Sequence, residues 1–171
     1  MTRTPRRSPG SARRQTALIA LGLIVVALTA GLLAQRWLTA GPGPDLGVLQ
    51  LRLVYNPGVS FGLGANLPSW VITTVTGAVI AGLAVYAWYS APTVTVAGRI
   101  GLAAVLAGAI SNLIDRAVDG VVTDYFHTGW FPTFNLPDVF ITLGAVLLVL
   151  QTLWSPTTNP TTDRPGGPDP D

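Results

Sequence analysis

The chain has 171 residues, of which 49% are hydrophobic and only 11% are charged, and its mean hydropathy is +0.49. Soluble domains carry about 25% charged residues, so the composition excludes an ordinary water-soluble domain and favours helices packed in lipid. The chain has no cysteine, one histidine and a net charge of +2, which excludes thiol chemistry, disulfides and zinc–thiolate or multi-histidine sites and gives no indication of nucleic-acid binding.

The N-terminal region is an arginine-rich segment followed by an apolar run. Residues 1–14 contain five arginines among Pro, Ser and Gly, a composition that predicts a disordered tail. The 19 residues from Thr16 to Ala34 carry no charge, and at a rise of about 1.5 Å per residue they cross the hydrocarbon core of a bilayer. The run is longer than the apolar part of a secretory signal, so we predict a retained helix over residues 16–38.

Three more apolar runs predict helices over residues 69–90, 94–114 and 138–154. Residues 41–67 are rich in Gly and Pro and include the alternating segment LGVLQLRLVY, which predicts one or two short strands. The predicted fold is therefore an all-α membrane protein, a four-transmembrane-helix bundle with a small extracytoplasmic β-sheet. Residues 15–155 form this membrane domain, and residues 156–171 are predicted to be a second disordered tail.

The arginines also predict the orientation of the helices. If both tails and the turn after the second helix face the cytoplasm, seven arginines lie inside and only Arg36, Arg52 and Arg116 lie outside. We therefore predict a multi-pass protein of the bacterial cytoplasmic (inner) membrane with both termini in the cytoplasm. Residues 41–67 and 115–138 then share the outer face.

Charged and amide side chains gather where the third helix ends and the fourth begins. An ionisable side chain at the membrane centre costs about 2.5–3.5 kcal/mol on insertion scales, so such residues persist mainly where they are paired or used. The group comprises Asn112, Asp115, Arg116, Asp119, Asp124, Asn135 and Asp138. The outer ends of two adjacent helices would bring these side chains together.

Asp124 and Asp138 are the candidate reactive pair, because each has apolar neighbours that would exclude water, in GVVTDYF and FNLPDVFI. Two carboxyl groups that share such a site hold one proton between them. The ionised group can then activate water while the protonated group polarises a peptide carbonyl, with no metal or cofactor. The spacing leaves a plainer alternative open, in which Asp138 is the N-cap of the fourth helix and Asp124 is a solvated loop residue.

Two neighbouring features also need interpretation. Asp115 and Arg116 are either an interfacial ion pair that closes the third helix or a clamp for a substrate. Asn56 and Gly58 lie in YNPGVSFG, where the sequence Asn-Pro-Gly predicts a turn.

Three segments, YNPGVSFG, SNLIDRAVDGVVTDYF and FPTFNLPDVFI, occur in this order among the apolar runs. Together they resemble the signature blocks of lipoprotein signal peptidase, the signal peptidase II family. The resemblance implies an aspartic endopeptidase that removes signal peptides from diacylglyceryl-modified prolipoproteins, cutting just before the lipidated cysteine in the outer leaflet. The implied partners are the lipid-modified prolipoprotein and membrane lipid, with no cofactor, no nucleic acid and no defined oligomeric state.

The resemblance also implies roles for individual residues. Matched by position, the family's catalytic carboxylates fall on Asp124 and Asp138. Arg116 is suited to hydrogen-bonding a substrate carbonyl. The full set of implied substrate-contacting residues is Asn56, Asn112, Arg116 and Asn135, and the implied structural residues beside the site are Gly58 and Asp115.

The first helix departs from the family pattern. Family members usually carry Asp-Gln there, followed shortly by Ser/Thr-Lys, whereas this chain reads LTAGLLAQRWL and offers Gln35 and Arg36 as its polar residues. Single replacements also occur at Val59, Ser60, Ser111 and Pro137. Two other functions therefore stay open: a catalytically impaired family member that binds lipoproteins, and a small proton-coupled transporter that uses the intramembrane Asp residues.

Overall fold

Four long helices and a two-stranded sheet make up the structure, a computed structural model that describes residues 8–39, 41, 43–58 and 66–154. The helices are α1 (Pro9–Leu38), α2 (Ser69–Ser90), α3 (Val96–Asp119) and α4 (Leu136–Trp154), and the strands are β1 (Gln50–Asn56) and β2 (Val122–His127). Each helix is long and apolar enough to cross a membrane. The predicted fold, a four-helix membrane bundle with a small sheet, is confirmed.

Helix α1 begins at Pro9, earlier than the predicted start at residue 16. Ser8 caps the helix, with its hydroxyl oxygen accepting a hydrogen bond from the amide of Ser11 at 3.4 Å. Proline is favoured in the first turn of a helix, where its missing N–H would have no partner in any case. The Ser-Pro pair therefore starts the helix before the apolar run begins.

The early start of α1 corrects the prediction for the N-terminal tail. Residues 9–14 were predicted to be disordered together with residues 1–8, but they are helical. Their order has a physical cause, because Arg13 lies over the ring of Trp88 at 4.8 Å from the ring centroid and donates to the Trp88 carbonyl at 3.0 Å. Residues 1–7 and the predicted tail at 156–171 lie outside the described residues.

Helix α3 runs to Asp119 instead of ending at residue 114. Its stop signal is Gly120, which has φ 77° and donates its amide to the carbonyl of Arg116 at 2.9 Å. The charged residues after Ile114 therefore lie on the last turns of a helix, not in a loop. This end of α3 has a fixed geometry, and its polar side chains point from a rigid element.

Helix α3 is the centre of the bundle and packs against the other three helices. Small residues let it approach α4 closely: a Cβ on Gly144 would lie 2.7 Å from the Gly101 carbonyl oxygen, and one on Gly101 would lie 2.9 Å from that of Gly144. Gly108 in turn faces the backbone of Pro137 at the start of α4. Small residues at such contacts are typical of membrane helices, and here they let α3 and α4 pack closely along much of their length.

The sheet joins two distant parts of the chain. Strands β1 and β2 are antiparallel, with Val54 opposite Asp124 and Asn56 opposite Val122. The segment 41–67 was expected to supply one or two strands, but its described part supplies only β1, and the partner strand comes from the connection between α3 and α4. Asp124 therefore lies in a strand, and the alternative of a solvated loop residue is wrong.

Candidate active site

The carboxyl group of Asp124 is buried at the middle of β2. The residue is 3% exposed. Its Oδ1 accepts a hydrogen bond from Nδ2 of Asn135 at 2.9 Å, and its Oδ2 accepts one from Nδ2 of Asn56 at 3.3 Å. Asn56 reaches it diagonally, because the strand register places Asn56 opposite Val122, two residues before Asp124 on the same face.

The carboxyl group of Asp138 lies in the first turn of α4. Its Oδ2 accepts from the backbone amide of Asn135 at 3.1 Å, while the amide of Asp138 donates to Oδ1 of Asn135 at 2.9 Å. This reciprocal pair is a capping box. The alternative in which Asp138 is the N-cap of the fourth helix is wrong, because Asn135 is the N-cap and Asp138 is the third residue of α4. Oδ1 of Asp138 accepts a further hydrogen bond from Nδ2 of Asn112 at 2.9 Å.

Asn135 connects the two carboxyl groups. It is 1% exposed, and its side-chain amide bonds Asp124 while its backbone amide bonds Asp138. Its Nδ2 also donates to Oδ1 of Asn112 at 2.9 Å, which closes the network with Asp138. Because Oδ1 of Asn135 accepts from a backbone N–H, the orientation of its side-chain amide follows from the network itself. The structure thus brings together Asp124, Asp138, Asn56, Asn112 and Asn135, all of them predicted site residues.

Burial changes the acidity of this cluster. Removal of water raises the pKa of Asp124 to about 7, and the negative charge of Asp138 acts in the same direction. The hydrogen bond from Asn56 and the charge of Arg116 oppose the shift only in part. Near neutral pH, Asp124 therefore exists in both protonated and ionised forms.

Arg116 is also buried, at 4% exposure, but it does not contact either carboxyl group directly. Its Nη2 donates to the carbonyl of Gly58, and the amide of Gly58 donates to Oδ1 of Asn56 at 3.0 Å. The predicted turn is thus an Asx turn held by Arg116. Within the described residues, Nε of Arg116 is buried without a hydrogen-bond partner.

Asp115 binds the backbone of β2 instead of its sequence neighbour. Its Oδ2 accepts from the amide of Thr123 at 2.6 Å. In the part of the chain that the structure describes, no ion pair joins Asp115 to Arg116, so the interpretation of these residues as an interfacial ion pair is wrong. Asp115 positions the strand that carries Asp124.

Two contributors, Thr123 and Tyr125, were missed at the level of sequence. Thr123 is 2% exposed and bonds both Asp115 and Nε2 of Gln35, the latter at 2.8 Å. The hydroxyl of Tyr125 accepts from the amide of Leu136 at 3.1 Å and so ties β2 to the start of α4. The alternation in VVTDYF was a usable signal, because a strand places Thr123 and Tyr125 on the face opposite Asp124.

A cavity of about 210 Å³ adjoins the network between α1 and α3. Apart from Gln35, its walls on α1 are apolar or small, and its polar end is formed by side chains that include Gln35, Asn112, Asp115 and Asn135. Among the described residues, no group of three or more His, Cys, Asp or Glu side chains has the arrangement of a metal site. Val59 and Ser60, where the sequence departs from the family pattern, lie outside the described residues.

The fold and this site together define a polytopic membrane protein in which hydrogen bonds from amide groups connect two carboxyl groups at one end of the bundle. The profile of Peptidase_A8, described as signal peptidase (SPase) II, matches residues 19–154. The chain belongs to the signal peptidase II family, and the resemblance found from the sequence is confirmed.

Individual relatives agree with this assignment. The chain is 43% identical over 107 residues to the lipoprotein signal peptidases of Brucella ovis and Brucella canis. The aligned region covers 60% of this chain and 66% of each relative, just under two thirds of their length.

Two solved structures have the same fold. Both are described as bacterial membrane enzymes solved by the in meso method. The first has a TM-score of 0.70 at 21% identity and covers 81% of this chain and 87% of its own. The second has a TM-score of 0.67 at 22% identity and covers 83% and 94%, respectively.

Proposed function

We propose that the protein is an aspartic endopeptidase that removes signal peptides from diacylglyceryl-modified prolipoproteins. One observation carries the proposal: Asn135 hydrogen-bonds the carboxyl groups of both Asp124 and Asp138, so a buried acid on β2 and a half-buried acid on α4 share one network. Family membership supports the substrate class, since the relatives are named lipoprotein signal peptidases.

The two acids take different roles in this mechanism. Burial raises the pKa of Asp124 to about 7, so the protonated form is populated near neutral pH. This form donates its proton to the carbonyl oxygen of the scissile peptide bond. The ionised Asp138 accepts a proton from a water molecule as the oxygen of that water attacks the carbonyl carbon. The tetrahedral intermediate then collapses: the C–N bond breaks, and the proton held by Asp138 passes to the leaving nitrogen. Asp124 regains its proton from the second hydroxyl as the new carboxyl group forms.

The amide side chains orient the acids in this mechanism. The Asn112 side chain donates to Asp138, and the Asn56 side chain donates to Asp124. The Asn135 side chain donates to both Asn112 and Asp124. Arg116 supports Asn56 through Gly58, and its buried Nε, which has no partner among the described residues, is the proposed donor to a carbonyl of the substrate. The residues expected to contact the substrate keep that role, and most of them also orient the two carboxyl groups.

The decisive experiment compares substrates and variants in one assay. The purified protein in detergent is incubated with a lipidated prolipoprotein and with the same precursor without lipid. We expect the wild type to cleave only the lipidated precursor, and Asp124→Asn to cleave neither. Asp45→Asn is the matched control, because Asp45 is exposed in the segment before β1 and its side chain accepts a hydrogen bond from the nearby amide of Gly47.

A catalytically impaired, lipoprotein-binding protein is the second candidate function. It is favoured by the first helix, whose outer end lacks the Asp and Lys that the family usually carries there. Binding of the lipidated precursor by the wild type without any product would support this candidate and reject the peptidase.

We also propose an inner-membrane location with both termini in the cytoplasm. The absence of cysteine makes the test direct, because each introduced cysteine would be the only one in the chain. Val48 and Thr93 are exposed and lie in segments predicted to face opposite sides. In intact spheroplasts, a membrane-impermeant maleimide is expected to label Val48→Cys but not Thr93→Cys, and the reverse pattern would invert the topology.

A further inference from the structure

We propose that Gln35 of α1 is a positioning residue for the carboxyl group of Asp124 and acts through Thr123. The inference rests on the proposed function, because it gives Gln35 a role in the same site. The contact is a hydrogen bond of 2.8 Å from Nε2 of Gln35 to the hydroxyl oxygen of Thr123. It joins the first helix to the strand that carries Asp124.

Thr123 is the residue of β2 that is held by partners from three other segments of the chain. Its hydroxyl accepts from Gln35 of α1, its amide donates to Asp115 of α3 at 2.6 Å, and its carbonyl accepts a longer hydrogen bond of 3.4 Å from Asn135 before α4. The residue is 2% exposed. A buried residue held by partners from three directions has little freedom to move, and neither has the residue next to it.

Asp124 is that next residue, and its own contacts tolerate little displacement. Each oxygen of its carboxyl group accepts from a different amide, that of Asn135 at 2.9 Å and that of Asn56 at 3.3 Å. The bond to Asn56 is already long, so a small shift of β2 would break it. Fixing Thr123 therefore fixes the direction in which the Asp124 carboxyl group points.

The position of Gln35 on its helix supports this role. The neighbouring Leu32 and Leu33 are exposed to the surroundings of the bundle, at 68% and 51%, whereas Gln35 is half-buried and faces the site. A polar side chain on an otherwise apolar membrane helix needs a hydrogen-bond partner. Gln35 finds it in Thr123 and lines the cavity beside the network.

The expected effect is on turnover and not on substrate affinity. Gln35→Leu keeps the approximate volume and removes the hydrogen bond, and we expect kcat to fall about tenfold, since small misplacements of catalytic groups are costly. KM should stay within about twofold, because the bond acts on Asp124 and not on the substrate. Thr123→Val removes the same bond from the other side, while Thr123→Ser keeps the hydroxyl and should restore most of the rate.

A double-variant cycle with the lipidated precursor tests the inference. If one bond carries the effect, Gln35→Leu combined with Thr123→Val should be no slower than either single variant. Thr29→Val, an exposed position on the same helix, is the matched control and should behave as wild type. Thermal unfolding confirms that each variant is folded, and should Gln35→Leu not fold, the comparison of Thr123→Val with Thr123→Ser carries the same test.

The possible failures are distinguishable. Wild-type rates in Gln35→Leu together with an inactive Asp124→Asn would overturn the positioning role alone. An increase in KM without a change in kcat, or fully additive losses in the double variant, would also overturn it. If the wild type gives no product, or if Asp124→Asn remains active, the proposed function itself fails and the positioning role fails with it.

Discussion

Each end of the bundle buries one arginine of α3, but the two arginines differ in their hydrogen bonds. At the N-terminal end of α3, Arg99 is 9% exposed and donates to the carbonyls of Ala91 and Val94 and to the side chain of Gln15. At the C-terminal end, Arg116 donates from Nη2 to the carbonyl of Gly58, and among the described residues its buried Nε has no partner.

The difference separates a structural cluster from the cluster proposed to be reactive. The contacts of Arg99 join the turn between α2 and α3 to α1, and all of its acceptors are uncharged. The other end holds one buried and one half-buried carboxyl group in one amide network, and the pKa of the buried one, Asp124, is raised to about 7. It also leaves a donor of Arg116 without a partner among the described residues. Unsatisfied and titration-shifted groups cluster at functional sites. The following predictions can break or sharpen this comparison.

The largest effect is expected from the acids themselves. Asp124→Asn and Asp138→Asn should each lower kcat/KM by about 10²–10⁴-fold, because each removes one half of the proton transfer. The double variant should be hardly worse than either single one, since the two acids act as a unit. Cleavage rates and thermal unfolding are measured in the same detergent. Substantial activity in either single variant would show that the cluster of Asp124 and Asp138 has only a structural role.

The next effect concerns Asn135, which both caps α4 and orients Asp124. Asn135→Ala should lower activity about 100-fold by misplacing the acids and destabilise the protein by about 1 kcal/mol through loss of the cap. Asn135→Ser separates the two roles, because serine is a good N-cap but lacks the amide donor to Asp124. We expect it to recover the unfolding temperature and not the rate; recovery of both would mean that the amide does not orient Asp124.

The sequence predicted the four helices more accurately than the residues at which they begin and end. Helix α2 has the predicted bounds because its apolar run is closed by Pro68 and Pro92. Helix α3 continues beyond the predicted end because charged residues do not stop a helix, whereas Gly120 does. A hydropathy pattern records where apolar residues end, but a cap decides where the helix ends.

The site was predictable only in part for a similar reason. Asp124 and Asp138 were identifiable from their apolar neighbours and from the family blocks around them. The contact between Gln35 and Thr123 spans 88 positions and depends on how α1 is rotated in the bundle, which no local pattern encodes. Strand β2 was missed because its partner β1 lies before two complete helices, and strand pairing over such distances leaves little trace in the sequence.

The pH dependence of the reaction tests the raised pKa of Asp124. At pH below about 7, Asp124 keeps its proton; above this value it loses the proton, both carboxyl groups are negative, and no acid remains to polarise the carbonyl. The rate should therefore fall as the pH rises through 7, by about tenfold per unit beyond the midpoint, with an apparent pKa that belongs to the pair. A rate that rises through pH 7 would instead make ionised Asp124 the active form.

A matched variant sharpens the pH prediction. The hydrogen bond from Asn56 lowers the pKa of Asp124, because it stabilises the ionised form. Its removal in Asn56→Ala should shift the alkaline limb of the kcat/KM profile to higher pH. A shift to lower pH would mean that the variant admits water to the site and that burial, not the hydrogen bond, is what changed.

The smallest effect is expected from exchanging the two buried arginines for lysine. Lysine keeps the charge but loses the planar fork, so it cannot make the separate contacts of a guanidinium. Arg99→Lys should lower the free energy of unfolding by about 1–2 kcal/mol through lost hydrogen bonds and leave the cleavage rate unchanged. Arg116→Lys should slow cleavage several-fold, because the turn that carries Asn56 loosens, with little change in stability. If Arg99→Lys slowed cleavage and Arg116→Lys affected only stability, a buried donor without a partner would no longer distinguish the reactive end of this bundle from the structural one.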